Sequence, residues 1–533
     1  MRTSERVNCS RFPVESASLT SEATTAVVVH TATASGVAAK IMVVICILAV
    51  AARLVLIDQP YVDHWSWRQS DVAAIARNFL QNGFHFGYPQ IDWAGNAPGY
   101  VGTEFPILSF VAAVSYKFTG VHEWIGRIQA VIFFAVSLPF FFLLVREIFD
   151  GRAAVWATFF YSFAPLSVFA GRSFMPDVPS LSLAIIGLYF FLRWVEDRKS
   201  APFFVAAAAI SLSFLIKMTS LVFIAPLAYV VVGRLCQTPG ISQKRPTVLS
   251  ALAIFSAIAL VPSAIWYWHA HQIADEFYPH HFFGAGGVRI ENLSWYSHIA
   301  QQTLTSSFTP VLSLMALIGF FVPQSRDRRY SRVFHWWLAA MFLFIMVVGY
   351  GNRHRWYQLP LIPIAAAFAG AGCTIIGSKI SSRIVAVTLS ILLVSSFTIL
   401  AFGCVQPFYQ SSAAQLRDAG LALKKVTAPD ALIVGADMGD PTMFYYAERK
   451  GWHFLENDAI YNGTPDDSEQ AIENLERLRR LGATHFVFTK NTFWWLQSYP
   501  EFVGHLSKQA TLIEATPEFR IYKLKTTASE NNS

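Results

Sequence analysis

Through its first three quarters the chain alternates long apolar runs with short polar breaks; beyond about Gln410 the apolar stretches shorten and charged segments separate them. A helix needs about 20 mostly apolar residues to cross a bilayer. Eleven runs approach that length: Ile41–Ile57, Trp124–Val145, Ala153–Ala170, Val178–Trp194, Pro202–Ile216, Thr219–Gly233, Leu249–Trp268, Pro310–Val322, Phe334–Tyr350, Leu359–Ile376 and Ile384–Phe402. The pattern predicts a polytopic α-helical membrane protein. In the tail, ALIVGA (Ala431–Ala436) and HFVFT (His485–Thr489) read as buried strands and RIYKL (Arg520–Leu524) as an alternating one, with an amphipathic helix over Asp467–Leu481. A small α/β domain is expected there. The resulting division is a disordered tail over 1–40, a membrane domain over 41–409 with a large first loop at 58–123, the α/β domain over 410–526 and a disordered end over 527–533.

Composition agrees. Of 533 residues, 54% are hydrophobic and 14% charged, against roughly 25% charged in soluble domains. The formal charge of +7 is unevenly placed, since residues 411–533 hold 13 basic and 16 acidic side chains. The basic excess therefore belongs to the membrane part. Arg146 and Arg152, Arg193 to Lys199, Arg234 to Arg245, Arg326 to Arg332, and Lys379 with Arg383 fall in alternate loops. The positive-inside rule makes those loops and the N-terminus cytoplasmic, and an odd number of spans puts the C-terminal domain outside a cell membrane. Basic groups so placed suit a lipid bilayer, and no nucleic-acid motif accompanies them. The five cysteines form no close pairs, and Gly435 and Gly439 do not complete a dinucleotide fingerprint.

Candidate chemistry gathers on the expected outer side. The first loop reads DHWSWRQSDVAAIARNF from Asp63 to Phe79. Val72, Ile75, Ala76 and Phe79 share a helical face, which predicts a helix along the membrane surface presenting Asp63, Arg68, Gln69 and Asp71 to a cavity; Asp71 is equally placed to be a plain helix cap. Asp177 stands between two prolines at the mouth of a span, where a carboxylate is costly unless a cation, metal or proton offsets it; Arg172 is one candidate partner. Lys217 sits between two short apolar runs, as a snorkelling lysine would, and would still bring a cation to that side. Arg353, His354 and Arg355 run against the positive-inside bias and form a set able to neutralise a phosphate. Tyr278, His280 and His281 lie in an aromatic and glycine-rich segment suited either to folding over a ligand or to an interfacial belt.

These features together resemble the GT-C-type membrane glycosyltransferases, particularly the protein O-mannosyltransferases and aminoarabinose transferases of glycosyltransferase family 39. The matching segments are AIARNFLQNG (Ala74–Gly83), TEFPIL (Thr103–Leu108) in place of a Glu-Lys-Pro-Pro segment, EWIGRI (Glu123–Ile128), Arg172 with Asp177, Lys217, and HRWYQLPLIP (His354–Pro363). The resemblance implies transfer of a sugar from a polyprenyl-phosphate carrier to an acceptor hydroxyl of a glycan, lipid or protein on the outer face. Asp71, Asp63, Glu104 and Asp177 would be the catalytic carboxylates, and Arg68, Arg172, Lys217, Arg353, His354 and Arg355 the phosphate ligands. This chain has Asp63 and Asp71 where the family has an adjacent Asp-Glu pair, which leaves the base open between them, and Phe105 where the family has a lysine. A lipid phosphate is a competent leaving group once its charge is held, so a carboxylate base and cations suffice for an inverting displacement. A divalent metal is compatible with this chemistry, although no ligand spacing points to one. A secondary transporter would instead show repeated halves and mid-membrane charges, and a non-catalytic envelope assembly protein would use the outer domain for a partner.

Overall fold

The computed structural model describes residues 39–237, 245–283, 288–322, 330–457 and 460–526, without side chains for 234–247. The two expected tails and most of the Arg326–Arg332 loop lie outside the described residues. Helices cover the eleven apolar runs, but length and composition let only five described helical stretches cross a membrane: Glu123–Ile148, Asp177–Asp197, Val248–Glu276, Leu361–Ser378 and Arg383–Val426. In the last of these the apolar helix is Arg383–Val405. The other runs are short or broken for local reasons. Pro165 cannot donate into a continuing helix, so the third run splits into Gly151–Phe163 and Pro165–Ala170. The run after Lys217 opens with a 3-10 turn, Met218–Phe223, before its α-helix. Leu293–Ser307 and Pro310–Phe320 meet at 107°, with Pro310 starting the second helix and the Thr309 side chain capping it. By length and composition alone, five described helices are long and apolar enough to cross, or six with the bent pair counted as one, beside the shorter apolar helices that fill the other expected runs. The protein is an integral membrane protein of mostly helical fold.

Small residues set the closest helix crossing. A Cβ on Gly319 would stand 1.7 Å from the carbonyl oxygen of Phe368, and one on Gly372 would stand 2.5 Å from that of Met315. The Pro310–Phe320 and Leu361–Ser378 helices therefore touch backbone to backbone.

The C-terminal unit is a three-layer α/β sandwich. Its strands are β1 (Ile433–Ala436), β2 (Gly451–His453), β3 (Glu456–Asn457), β4 (Ile460–Tyr461), β5 (His485–Thr489), β6 (Ala510–Ala515) and β7 (Phe519–Leu524). The main sheet runs β2-β1-β5-β7-β6, and β3 pairs with β4 as a separate hairpin. β1 pairs in parallel with β2 and β5, while β7 runs antiparallel to β5 and β6. Side chains alternate between faces as the pleat requires. Val434, Phe486 and Phe488 pack on the helices Ser468–Arg480 and Pro500–Gln509 through Leu475 and Phe502. Ile433, Val487 and Ile521 face the opposite way and share a core with Leu416, Met443 and Phe444, and also with Ile75, Phe79 and Trp93 of the first loop.

The first loop is therefore welded to the sheet. The Gly95 amide donates to the Gly451 carbonyl at 2.7 Å and the Gly451 amide to the Asp92 carbonyl at 3.0 Å, covering the edge of β2. Its helix runs Ser66–Asn82 and is buried on almost every side from Ser66 to Phe79, so it is an interior helix and not the surface-lying one expected. The polar ARN of AIARNF is buried because Arg77 bonds the Asp92 carboxylate and the Tyr445 carbonyl, while Asn78 donates to Asp92 at 2.9 Å.

Gly319→Val should force the two helices apart at a cost of ~1–3 kcal/mol, the usual range for overpacking. Thermal denaturation in detergent should show a lowered midpoint, whereas Gly377→Ala, where the added methyl meets nothing, should leave it in place.

Candidate active site

The Ser66–Asn82 helix decides which first-loop groups meet. Residues three apart share a helix face, so Arg68 and Asp71 point together into a cavity of about 250 Å³. Asp71 lies in the second turn and caps nothing; Trp65 is the cap residue. Its Oδ1 accepts a hydrogen bond from the Trp93 indole at 3.0 Å. Burial pushes its pKa up to about 7, opposed by that bond and by Arg68.

Asp63 and Gln69 turn the other way. Asp63 accepts from Gln69 Nε2 at 2.7 Å and from Arg127 at 3.0 Å. The Gln69 Oε1 accepts in turn from Arg127 Nε and from the Phe174 amide, both at 3.2 Å. Asp63 is 1% exposed and does not line the cavity. Its sequence neighbours gave no sign of this, because Arg127 is 64 residues away.

Three cations do line the cavity: Arg68, Lys217 and Arg353. Glu104 grips Arg68 with both oxygens, at 2.9 and 2.8 Å, and stands 3.6 Å from Lys217. Burial opposes its ionisation, but these two cations hold its pKa down to about 2. Lys217 is buried and does not snorkel; its Nζ is 3.1 Å from Asp177 Oδ1, and it sits 5.2 Å above the Tyr357 ring. Arg353 lies over the Tyr350 ring at 4.1 Å and forms no ion pair among the described residues. Asp177 approaches from behind the cavity wall. Its partner is Lys217 and not Arg172, because Arg172 donates to the Leu56 carbonyl at 2.8 Å, lies 3.9 Å from Asp63 and covers the Tyr409 ring.

His354 and His281 complete the lining as neutral imidazoles. Burial, then Arg353, Arg68 and Lys217, depress His354 to about 3; burial and Arg68 depress His281 to about 4. His354 stacks on Trp356 at 4.4 Å and faces Trp67 at 5.6 Å. Arg355, Tyr278 and His280 lie outside the cavity lining. Arg355 covers Phe408, Tyr278 reaches Glu456, and His280 turns its Nδ1 back to the Ala274 carbonyl at 3.2 Å. Phe105, in the lysine position, packs on Phe86 and Trp266.

The sequence reading missed the wall contributed by the C-terminal unit: Gly439, Pro441, His453, Ile460 and Tyr461. His453 holds Asp437 through Nδ1 at 2.9 Å and lies 5.4 Å from Trp93, ring to ring. One signal was available. ALIVGA is followed directly by Asp437, and polar groups at the carboxyl ends of buried parallel strands mark the side on which α/β sheets bind ligands.

No group of three His, Cys, Asp or Glu able to hold a metal occurs among the described residues. Among its described residues the site offers one carboxylate free of any salt bridge, Asp71, beside Arg68 and Lys217, which Glu104 and Asp177 hold, and Arg353, which no carboxylate holds. Such a site accommodates a monoanion and can accept a proton next to it.

Residues 103–266 match the family described as Dolichyl-phosphate-mannose-protein mannosyltransferase. ArnT from Cupriavidus metallidurans superimposes with a TM-score of 0.62 at 15% identity, covering 90% of this chain and 97% of that one. Its structure bound to undecaprenyl phosphate gives 0.61 at 15% identity over 91% and 98%. The chain shares its overall fold with ArnT. Among other GT-C structures, the oligosaccharyltransferase AglB from Archaeoglobus fulgidus, in complex with an inhibitory peptide and a dolichol-phosphate, aligns with a TM-score of 0.61 at 13% identity over 93% and 75%. YkcB of Bacillus subtilis (strain 168), a mannosyltransferase by provisional name, is 20% identical over 219 residues; the match takes in 40% of this chain and 30% of that relative's length.

Removing one partner of a buried ion pair strands the other. Arg127→Met should cost ~3–5 kcal/mol, and adding Asp63→Asn should recover part of that loss. Both are read as midpoints of thermal unfolding in nanodiscs; Asp71→Asn should leave the midpoint within a degree or two, since Asp71 has no salt bridge to lose.

Proposed function

We propose that this protein transfers a sugar from a polyprenyl-phosphate carrier to an acceptor hydroxyl at the outer face of the cell membrane, with Asp71 as the base. The observation that supports this most directly is the cavity in the GT-C fold where Asp71, with its pKa near neutrality, stands beside Arg68, Lys217 and Arg353. A phosphodiester donor carries one negative charge. With Asp71 ionised, Arg68, Lys217 and Arg353 offset Glu104, Asp177 and Asp71, and Arg353, which forms no ion pair among the described residues, is the cation left to meet that charge.

In the proposed step the acceptor oxygen bonds to the anomeric carbon as that carbon's bond to the phosphate oxygen breaks. The acceptor's proton passes to Asp71, and the electron pair leaves with the polyprenyl phosphate. The leaving phosphate gains a second negative charge, and cations already fixed in place stabilise it without reorganising. Glu104 and Asp177 serve to hold Arg68 and Lys217 at that point. Asp63 keeps a structural role in this scheme, because Arg127 and Gln69 occupy it. Attack opposite the leaving group inverts the anomeric centre. The N-terminus faces the cytoplasm and the C-terminal unit the outside, as the loop charges require.

Asp71→Asn should lower kcat by about 10²–10⁴-fold with radiolabelled polyprenyl-phosphate sugar, the range for loss of a general base. The carboxylate form is the active one, so the wild-type rate should rise with pH through about 7 and level off above it. A rate that fell across the same window would remove Asp71 from the base role. Arg353→Ala breaks no ion pair, so it should raise the apparent donor constant by roughly tenfold or more, as for a lost charge-assisted contact. For orientation, a cysteine at the exposed Lys490 should react with an impermeant maleimide in intact cells; labelling only after lysis would invert the topology.

A further inference from the structure

The Asp437–His453 pair is neither the proposed base nor one of the three cations assigned to the donor phosphate, although His453 lines the same cavity. Its position is that of a ligand group. Asp437 follows the last residue of β1 and His453 ends β2, so the two lie side by side at the carboxyl ends of neighbouring parallel strands. That is the carboxyl end of the sheet, the side on which open α/β sheets bind their ligands. The pair is deeply buried, with His453 5% and Asp437 1% exposed. Both oxygens of Asp437 are 2.9 Å from Nδ1, which leaves Nε2 as the ring nitrogen available to the cavity that His453 lines. Trp93 joins this group to the base, bonding Asp71 through its indole nitrogen while its ring meets the imidazole.

A second groove, of about 450 Å³, opens beside the first cavity and shares Trp67, Arg353, His354 and Gly439 with it. Ser66, Ser412, Gln415 and Asn491 line it with neutral hydrogen-bonding groups. Gly439 forms the partition. Its φ is +76°, and a Cβ there would stand 2.7 Å from the Tyr461 ring, so the wall between groove and cavity is thinned to backbone. No lysine or arginine of the C-terminal unit lines either space, whereas Asp437 and Asp440 line the groove. Apart from Arg353 at the shared edge, the groove therefore offers a ligand hydroxyl, amide and carboxylate groups, which suit a neutral molecule rich in hydroxyls.

We propose that the C-terminal unit forms the acceptor subsite, with His453, oriented by Asp437, hydrogen-bonding through Nε2 to a hydroxyl of an uncharged glycan whose remaining sugars occupy the groove along Gly439. The proposal rests on the transferase reading for its chemistry, but its binding surface can be tested without turnover. The substrate class it names is a saccharide hydroxyl, and not a peptide side chain or an anionic lipid head group.

The test is saturation-transfer NMR of methyl hexopyranosides and short neutral oligosaccharides on the full chain in nanodiscs, with undecaprenyl phosphate titrated separately. Wild-type protein should bind at least one neutral glycoside. His453→Ala and Asp437→Asn should weaken that binding about tenfold, the scale of a lost hydrogen bond, and His453→Gln, which retains a polar nitrogen near Nε2, should restore part of it. Gly439→Val should remove binding of the oligosaccharides more than of the single sugars. Affinity for undecaprenyl phosphate should stay within about twofold in all four, which also reports that each variant is folded. Equal glycoside binding by wild type and His453→Ala, or a parallel loss of undecaprenyl phosphate binding in variants that melt normally, would overturn the assignment. So would a wild-type protein that binds a serine- and threonine-containing peptide but no glycoside. Failure of wild type to bind undecaprenyl phosphate would instead strike at the donor reading and leave the glycoside comparison standing.

Discussion

The neutralisation of Asp63 by Arg127 is the constraint from which the site's geometry follows. Both groups are buried, with 0% and 1% of their side chains exposed, and an unpaired charge there would cost several kcal/mol. The pair fixes the chain just before the Ser66–Asn82 helix to the start of the Glu123–Ile148 span. Gln69 extends the grip by one turn, since its amide donates to Asp63 and its oxygen receives Arg127 and the Phe174 backbone. With residues 63 and 69 pinned on one side, helical geometry sends 68 and 71 to the other. Arg68 and Asp71 therefore enter the cavity because Asp63 and Gln69 cannot.

The same helix carries the C-terminal unit. Arg77 bonds the Tyr445 carbonyl, Ser66 donates to Asp440 at 2.8 Å, and Ser70 meets Thr442 at 3.0 Å. These contacts bind one face of the sheet to the first loop over its length, and apolar packing of Ile75 and Phe79 against Met443 and Phe444 fills the space between. The tail is consequently a wall of the cavity, and the cavity is composite. Its cations come from the membrane domain and its histidine–aspartate pair from the sheet.

Much of the fold was legible because its signals are local. Apolar run length located the helices, short apolar runs located β1 and β5, and alternation located β7, each strand to within a few residues, with Asp467 capping the amphipathic helix through the Gln470 amide. β2 and β6 were missed, being three residues long in one case and mostly exposed in the other. The number of crossings was not legible, because a 17-residue helix such as Ser200–Ile216 reads as a span whether or not it crosses. In the site, residue types were visible but partners were not. Asp63 and Asp71 look alike in DHWSWRQSD; only the arrival of Arg127 for one and Trp93 for the other separates them. Arg172 and Asp177 look like a pair by spacing, yet Lys217, 40 residues after Asp177, takes that place. His453 was invisible, since nothing in its own neighbourhood connects it with a loop more than 350 residues earlier.

Burial of Asp71 has two opposite effects, and the cavity balances them. Desolvation raises the proton affinity of the carboxylate, which makes it a stronger base, but it reduces the fraction ionised at neutral pH. Arg68 and the Trp93 indole stabilise the anion and limit that reduction, leaving the pKa near 7. Glu104 limits it from the other side. By holding Arg68 in a bidentate grip it screens that cation from Asp71, where an unpaired Arg68 would make the carboxylate more acidic and a weaker base. An arriving phosphodiester would add negative charge beside Asp71 and favour its protonated form, but Arg353, which has no carboxylate partner among the described residues, supplies a compensating positive charge. The carboxylates that could have served as the base are thus spent on positioning: Asp63 on the helix, Glu104 on Arg68, Asp177 on Lys217. Of the cations so held, Arg68 is the one that acts on Asp71, and of these four acids the one left without a salt bridge is the one whose environment keeps it basic.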